Sequence, residues 1–264
     1  MSYQSTFYPG EKIYDDDNFA SLCDVDPDIH GRGRYSRVEG YGSTDGVGTF
    51  DMPLIPREEW DERIEEMERT KSRISDLCIN ANLPCKDQNG TNYCWVNGPV
   101  CALEILRVIQ NQNLILLSPA SVGAKIKNFR NQGGWGLEGL KYIAKYGVVP
   151  VDLWPANAIN RKYDTAEAWT AAEQYKAVEW DELKPRNLDE MFTCLFNRIP
   201  VPVGYNWWGH EVTACDPAKD RGEYVLRIRN SWGMGWGSKG FGILKGRKML
   251  PDDAVAPRSV TPFA

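Results

Sequence analysis

The spacing of apolar residues changes character at Asn187, and this constrains the fold more than any other feature of the chain. Before that point the apolar residues recur at helical spacing. Residues 93–112 place Val100, Leu103, Leu106 and Ile109 on one face, and GGWGLEGLKYIAKYGVV reads as glycines opening another helix. After it, NLDEMFTCLFNRIP reads as one capped helix, followed by the strand-like runs PVPVGY, HEVTAC, EYVLRIRN and GFGILKG, which Gly, Asp and Pro separate. Helices early and strands late predict an α+β protein with two segregated lobes. At 264 residues with 42% hydrophobic content, the chain can supply a core for both.

Two segments stand outside this division. In residues 56–78, Trp60, Ile64, Met67, Ile74 and Cys78 fall at helical spacing, broken by Lys71, which predicts an added amphipathic helix over about 57–78 that packs on its own domain. Residues 1–55 are polar and Gly-rich, include the acidic run Asp15, Asp16 and Asp17 and the stretch GRGRYSRVEGYGSTDGVG, and show neither helical nor strand period. They read as an extended N-terminal arm lying largely outside the core. Such an arm cannot bury enough apolar surface to fold alone, so contact must order it, either across a cleft of its own chain or against another protein.

Composition excludes several function classes. A net charge of −5 without a clustered Lys/Arg excess gives no reason to expect a nucleic-acid partner. No run approaches the length of an apolar membrane span, and the start MSYQSTFYPGEKIYDDD lacks the basic and then apolar segments of a signal peptide. Neither a membrane partner nor export by that route is expected. Seven cysteines without a CxxC pair suggest no disulfide framework and no metal site, and no cofactor is expected. A reducing compartment fits best, in the cytoplasm or within an assembly such as a virion.

Two histidines narrow the search for a base that works near neutral pH. His30 lies in the arm and reads as a surface residue. His210 opens a strand after NWWG. In KDQNGTNYCWVNGPVCALE, Gln88 precedes Cys94 by six residues, and Cys94 stands at the mouth of a helix whose dipole favours a thiolate. In RNSWGMGWGSKGFGIL, Asn230 ends a strand and is followed by Trp232 and Trp236. An amide at that place can orient an imidazole, and an indole can keep water from their hydrogen bond.

With these residues assembled, the chain resembles the papain-like (C1) cysteine peptidases. The Gln-x5-Cys-Trp segment, the Gly-Gly before a helix, the strand His and the run NSWGMGWG occur in that family's order, and the likeness covers roughly residues 85–246. Glu104 and the pair Leu117 and Ser118 also fall at family spacings, and residues 55–60 echo the family's mature start. The resemblance implies a two-lobed fold with a helical left lobe (about 79–165), an antiparallel β-sheet or barrel right lobe (about 166–264) and the active-site cleft between them, residues 56–264 forming the peptidase domain. It implies Cys94 as nucleophile, His210 as base and acid, Asn230 orienting His210, Trp232 shielding that pair, and Gln88 with the Cys94 backbone N–H as oxyanion hole. Gly133 and Gly134 would bond an extended peptide, Trp135 and Gly136 would line the pocket for the side chain next to the scissile residue, and Gly209 would also bind the substrate.

The family's pattern is not kept throughout. Thr91 and Asn131 stand where the family has two disulfide-paired cysteines, so that bridge is lost as a pair. Asn92 and Tyr93 are bulkier than the family's residues beside the nucleophile. Glu211 follows the base directly, and strand alternation predicts that it points away from the cleft. No family propeptide pattern occurs in residues 1–55, which favours a protein partner for the arm.

The leading reading is therefore thiol-dependent hydrolysis of peptide bonds in a peptide or protein substrate. The rival is a papain-like domain serving as a structural or binding component of a larger assembly, possibly a viral particle, with weak or no peptidase activity. Amide transfer or crosslinking by the same Cys/His pair is a third reading, which the Asn-Ser-Trp run disfavours.

Overall fold

Local chemistry sets the helices of the first lobe. The computed structural model of the chain describes residues 3–36 and 48–262. Short pieces come first: strand β1 (Ile13–Tyr14), helix α1 (Ala20–Cys23), strand β2 (Gly48–Thr49), and helices α2 (Trp60–Arg69) and α3 (Ile74–Asn80). The helical lobe is built on α4 (Cys94–Ile109), α5 (Pro119–Ile126), α6 (Gly136–Tyr146) and α7 (Ala166–Ala172). Ser118 caps α5 by accepting from the Ser121 N–H, Thr165 caps α7 in the same way from Ala168, and α6 stops at Gly147, whose φ of 80° suits glycine alone. Trp95, Val100, Leu103, Leu106, Leu140, Ile143 and Trp154 close one core among them.

The second lobe continues with β3 (Ala177–Leu183), α8 (Leu188–Phe196), β4 (Val201–Tyr205), β5 (His210–Asp220), β6 (Glu223–Arg229), β7 (Phe241–Lys245) and β8 (Asp253–Val260). The Asn187 side chain caps α8 by accepting from the Glu190 N–H. The strands form one sheet in the order β1-β7-β6-β5-β4-β8-β3-β2, antiparallel inside and parallel only where the edge strands β1 and β2 join it. The result is the α+β, two-lobed arrangement with its cleft between α4 and β5.

Two expectations change. The added segment is not one helix, because Lys71 takes a φ of 55° and separates α2 from α3. Both pieces pack on the β-lobe core, with Trp60 against Phe192, Phe196 and Tyr224. Nor does the arm stay outside. Ser5 pairs with Lys219, Tyr8 donates to Asp76, β1 extends the sheet, and Glu11 meets Arg227 at 2.6 Å with both side chains fully buried. Backbone pairing and buried charge hold this stretch, and neither leaves a periodic apolar trace in the sequence.

Candidate active site

Cys94 opens α4, so its backbone N–H has no partner within the helix and its Sγ faces the cleft. Across the cleft, β5 begins with His210 and β6 delivers Asn230 just past its end. The His210 Nε2 lies 2.7 Å from Asn230 Oδ1, which also accepts the Ser231 N–H at 2.7 Å. An atom that accepts from a backbone N–H is an acceptor, so Nε2 carries the proton of the neutral ring and Nδ1 carries the lone pair. Nδ1 is buried and has no hydrogen-bond partner. Trp232 and Trp208 flank the ring at 4.8 and 4.7 Å between centroids.

Gln88 is held firmly beside this group. Its Nε2 donates to Thr91 O at 2.7 Å, its Oε1 accepts from Ser231 Oγ at 2.5 Å, and its backbone N–H donates to Ser231 O. The nucleophile loop and the loop carrying Trp232 are thus stitched together, with Gly233 N–H donating to Lys86 O as a further link. Lys86 in turn reaches Glu104 of α4 and Leu117 O. Ser231, Trp208 and Lys86 were not singled out from the sequence.

The cleft is occupied by the chain's own arm. Residues 28–36 cross it, in extended form from Gly31 onward, and of the two placements expected for the arm the described residues take the one across their own cleft. Gly33 N–H donates to Cys94 Sγ at 3.2 Å. Gly134 donates to Gly33 O and accepts from Tyr35 N–H, a parallel bridge, while Arg34 N–H donates to Gly209 O and Trp232 Nε1 to Gly31 O. Trp135 donates to Ser36 O and meets Tyr35 edge-on. The approach is close: a Cβ on Gly33 would lie 2.1 Å from Asn92 O, and one on Gly133 2.0 Å from Gly33 O. His30 is not a free surface residue, since it stacks on Trp232 at 4.9 Å. Residues 37–47 of the Gly-rich stretch lie outside the described residues.

This cover alters the chemistry expected of Cys94 and His210. Both are fully buried, and no Cys94–His210 hydrogen bond forms. Burial, with the nearby Glu211 charge, pushes the Cys94 thiol up to about 12, although the Gly33 N–H works the other way. Burial takes His210 down to about 3, against the pull of Asn230 and helped by the charges of Arg32 and His30. A helix N-terminus does not make a thiolate where water is excluded and the imidazole is neutral.

Glu211 also departs from expectation. It does turn to the other face of β5, but that face lines a hollow beside the cleft, under Gly136 and next to Gly204 and Asp253. The place of the family disulfide is taken by hydrogen bonds: Asn92 N–H donates to Asn131 Oδ1 at 2.6 Å and Asn131 Nδ2 to Gly90 O at 3.3 Å. All seven cysteines are free. Among the described residues no group of metal-binding side chains occurs, and no helix is long and apolar enough to cross a membrane.

Fold and sequence together make this chain similar to the papain-like (C1) cysteine peptidases. No family model matches it. Chymopapain of Carica papaya is 25% identical over 183 residues, which are 61% of this chain and 51% of that protein. Papain of the same plant is 24% identical over 175 residues, 60% of this chain and 50% of papain, so the chain spans about half the length of these curated relatives. Among solved structures, digestive procathepsin L 3 of Tenebrio molitor larval midgut superposes with a TM-score of 0.62 at 17% identity, covering 88% of this chain and 78% of that one. The bromelain protease of Ananas comosus in complex with the E64 inhibitor gives 0.58 at 20% identity, over 72% of this chain and 97% of that one.

Proposed function

We propose that the chain is a thiol-dependent peptidase held latent by its own residues 28–36. Once the cleft is open, His210 Nδ1 takes the Cys94 proton and the sulfur attacks a peptide carbonyl carbon. The developing oxyanion is received by the Cys94 N–H and the Gln88 amide. His210 returns the proton to the leaving amine and a thioester remains. Water, deprotonated by the same imidazole, then releases the acid and regenerates the thiol. Asn230 holds the ring in the tautomer this needs, and Trp232 keeps water from their bond.

The observation that carries this reading is the arm itself: an extended peptide lies along Gly134 and Gly209 with its backbone at the Cys94 sulfur. The arm is spared because Gly33 presents its N–H to the sulfur, and an N–H offers no carbon to attack. The rival, a structural or binding component of an assembly, draws on the complete burial of Cys94 and His210.

Labelling decides between the two. In the full chain an epoxide or iodoacetamide reagent should leave Cys94 unmodified near pH 6. Gly33→Val, whose side chain cannot seat against Asn92 O, should make Cys94 the rapidly alkylated cysteine by mass mapping, and Asn230→Ala in that background should slow it. Labelling that stays absent, or spreads over several cysteines, would favour the assembly component.

A further inference from the structure

We infer that a hollow between α3 and the ends of β6 and β7 binds a small organic carboxylate with a short apolar body, and that Arg229 is its anion-binding group. The inference stands whether or not the chain cleaves peptides. The hollow has a volume of about 180 Å³, and none of the described residues lining it is acidic. Cys78, Leu83, Phe241 and Arg229 form its buried end, and the exposed Pro84, Met234 and Lys239 stand at its mouth.

Arg229 is the feature that calls for an anion. It is 2% exposed, and its guanidinium belongs to the hollow: Nη2 donates to Leu83 O at 2.5 Å and Cζ lies 5.0 Å from the centroid of the Phe241 ring, both residues of the same lining. Nε and Nη1 are buried and have no hydrogen-bond partner. Other buried arginines face carboxylates, Arg73 meeting Asp76 at 2.7 Å and Arg227 meeting Glu11 at 2.6 Å. Among the described residues, no carboxylate does this for Arg229. Its charge acts instead on the thiols of Cys78, Cys101, Cys85 and Cys215. Burial pushes Cys78 and Cys85 up to about 12, although Arg229 works the other way, so both stay neutral and cancel none of its charge. A neutral thiol is also a weak acceptor.

A guanidinium keeps its proton at any ordinary pH, so titration cannot remove this charge, and a buried charge without a counter-charge is costly. A carboxylate in the hollow supplies the counter-charge through charge-assisted hydrogen bonds. Ile79, Leu83, Pro84 and Met234 offer the rest of the ligand an apolar wall, and Lys239 adds a second cation at the mouth. The space is smaller than the roughly 300–1,000 Å³ of drug-sized sites, which limits the ligand to a short body. The site adjoins the candidate active centre: Asn230 follows Arg229 directly, and its N–H donates to Gly240 O, in the same loop as Met234 and Lys239.

Isothermal titration of the full chain with isocaproate tests the assignment. Saturable binding is expected. Isocaproamide, which keeps the body and lacks the charge, should bind about 10- to 100-fold more weakly, as loss of a hydrogen bond between charged groups predicts. Acetate, which keeps the charge and lacks most of the body, should be weaker by at least about 10-fold. Arg229→Met should remove saturable binding. Lys239→Glu, at an exposed position, should weaken binding by about 3-fold or more and serves if Arg229→Met does not fold. No saturable binding of isocaproate would overturn the assignment, as would an amide or acetate that binds equally well. Binding that either folded variant leaves unchanged would overturn it too.

Discussion

At the residue scale, His210 couples the cover to acidity. Its folded value of about 3 lies below the ordinary 6.5, so the folded protein stays unprotonated where an exposed or unfolded histidine takes up a proton. The stability this contributes is present above pH 6.5 and is lost as pH falls towards 3, by about 1.4 kcal/mol per pH unit. Glu211 has the opposite sign: burial and Asp253 raise its value, so its contribution is present at low pH and lost as pH rises. Urea midpoints followed by tryptophan fluorescence should fall on acidification below that value, and His210→Gln should flatten the slope. A slope unchanged by His210→Gln would show that another group carries it. The candidate chemistry itself was legible in the sequence, because Gln88, Cys94, His210 and Asn230 sit in short motifs with fixed spacing. The state of that chemistry was not: the burial of Cys94 comes from Gly33, sixty-one positions away in the chain, and no local pattern announces such a contact.

Among the elements, α2 shows how an addition can matter for stability and not for the site. Trp60 is completely buried, its Nε1 donates to Ile55 O, and its ring packs on Phe192, Phe196 and Tyr224. Trp60→Ala should cost about 3–5 kcal/mol, as large-to-small core changes do. Chemical denaturation reads that loss, and Cys94 labelling in the Gly33→Val background should stay as it was. A loss under 1 kcal/mol would place α2 outside the cooperative core. Helical spacing found α4, α6 and α8, and short apolar runs between Gly, Asp and Pro found β4 to β7, of which β4 and β5 are buried on both faces. Neither signal found β1, β2 or β8. The first two are two-residue pairings with no period to read, and β8, in which Pro257 interrupts the backbone donors, is a strand because β3 and β4 flank it.

For the whole molecule, the absence of a crosslink is a prediction about folding. Asn92 and Asn131 hold together two segments that the family joins by a disulfide, and the seven thiols are free, six of them buried. Melting temperature should therefore be the same with and without reductant. A fall of many degrees on reduction would reveal a bridge formed in solution.

The cleft segment is fastened at both sides, upstream by β1 with the Glu11–Arg227 pair and downstream by β2 against β3. A ligand tethered in this way acts at an effective concentration set by its linkers, of the order of millimolar for short ones, whatever its intrinsic affinity. Peptides at micromolar concentration are then excluded even by contacts that are individually weak. A single cut between β1 and the cleft does not dilute the segment away, because β2 still retains it. Only when both ties are lost does the segment become an ordinary dissociable peptide whose occupancy falls with dilution.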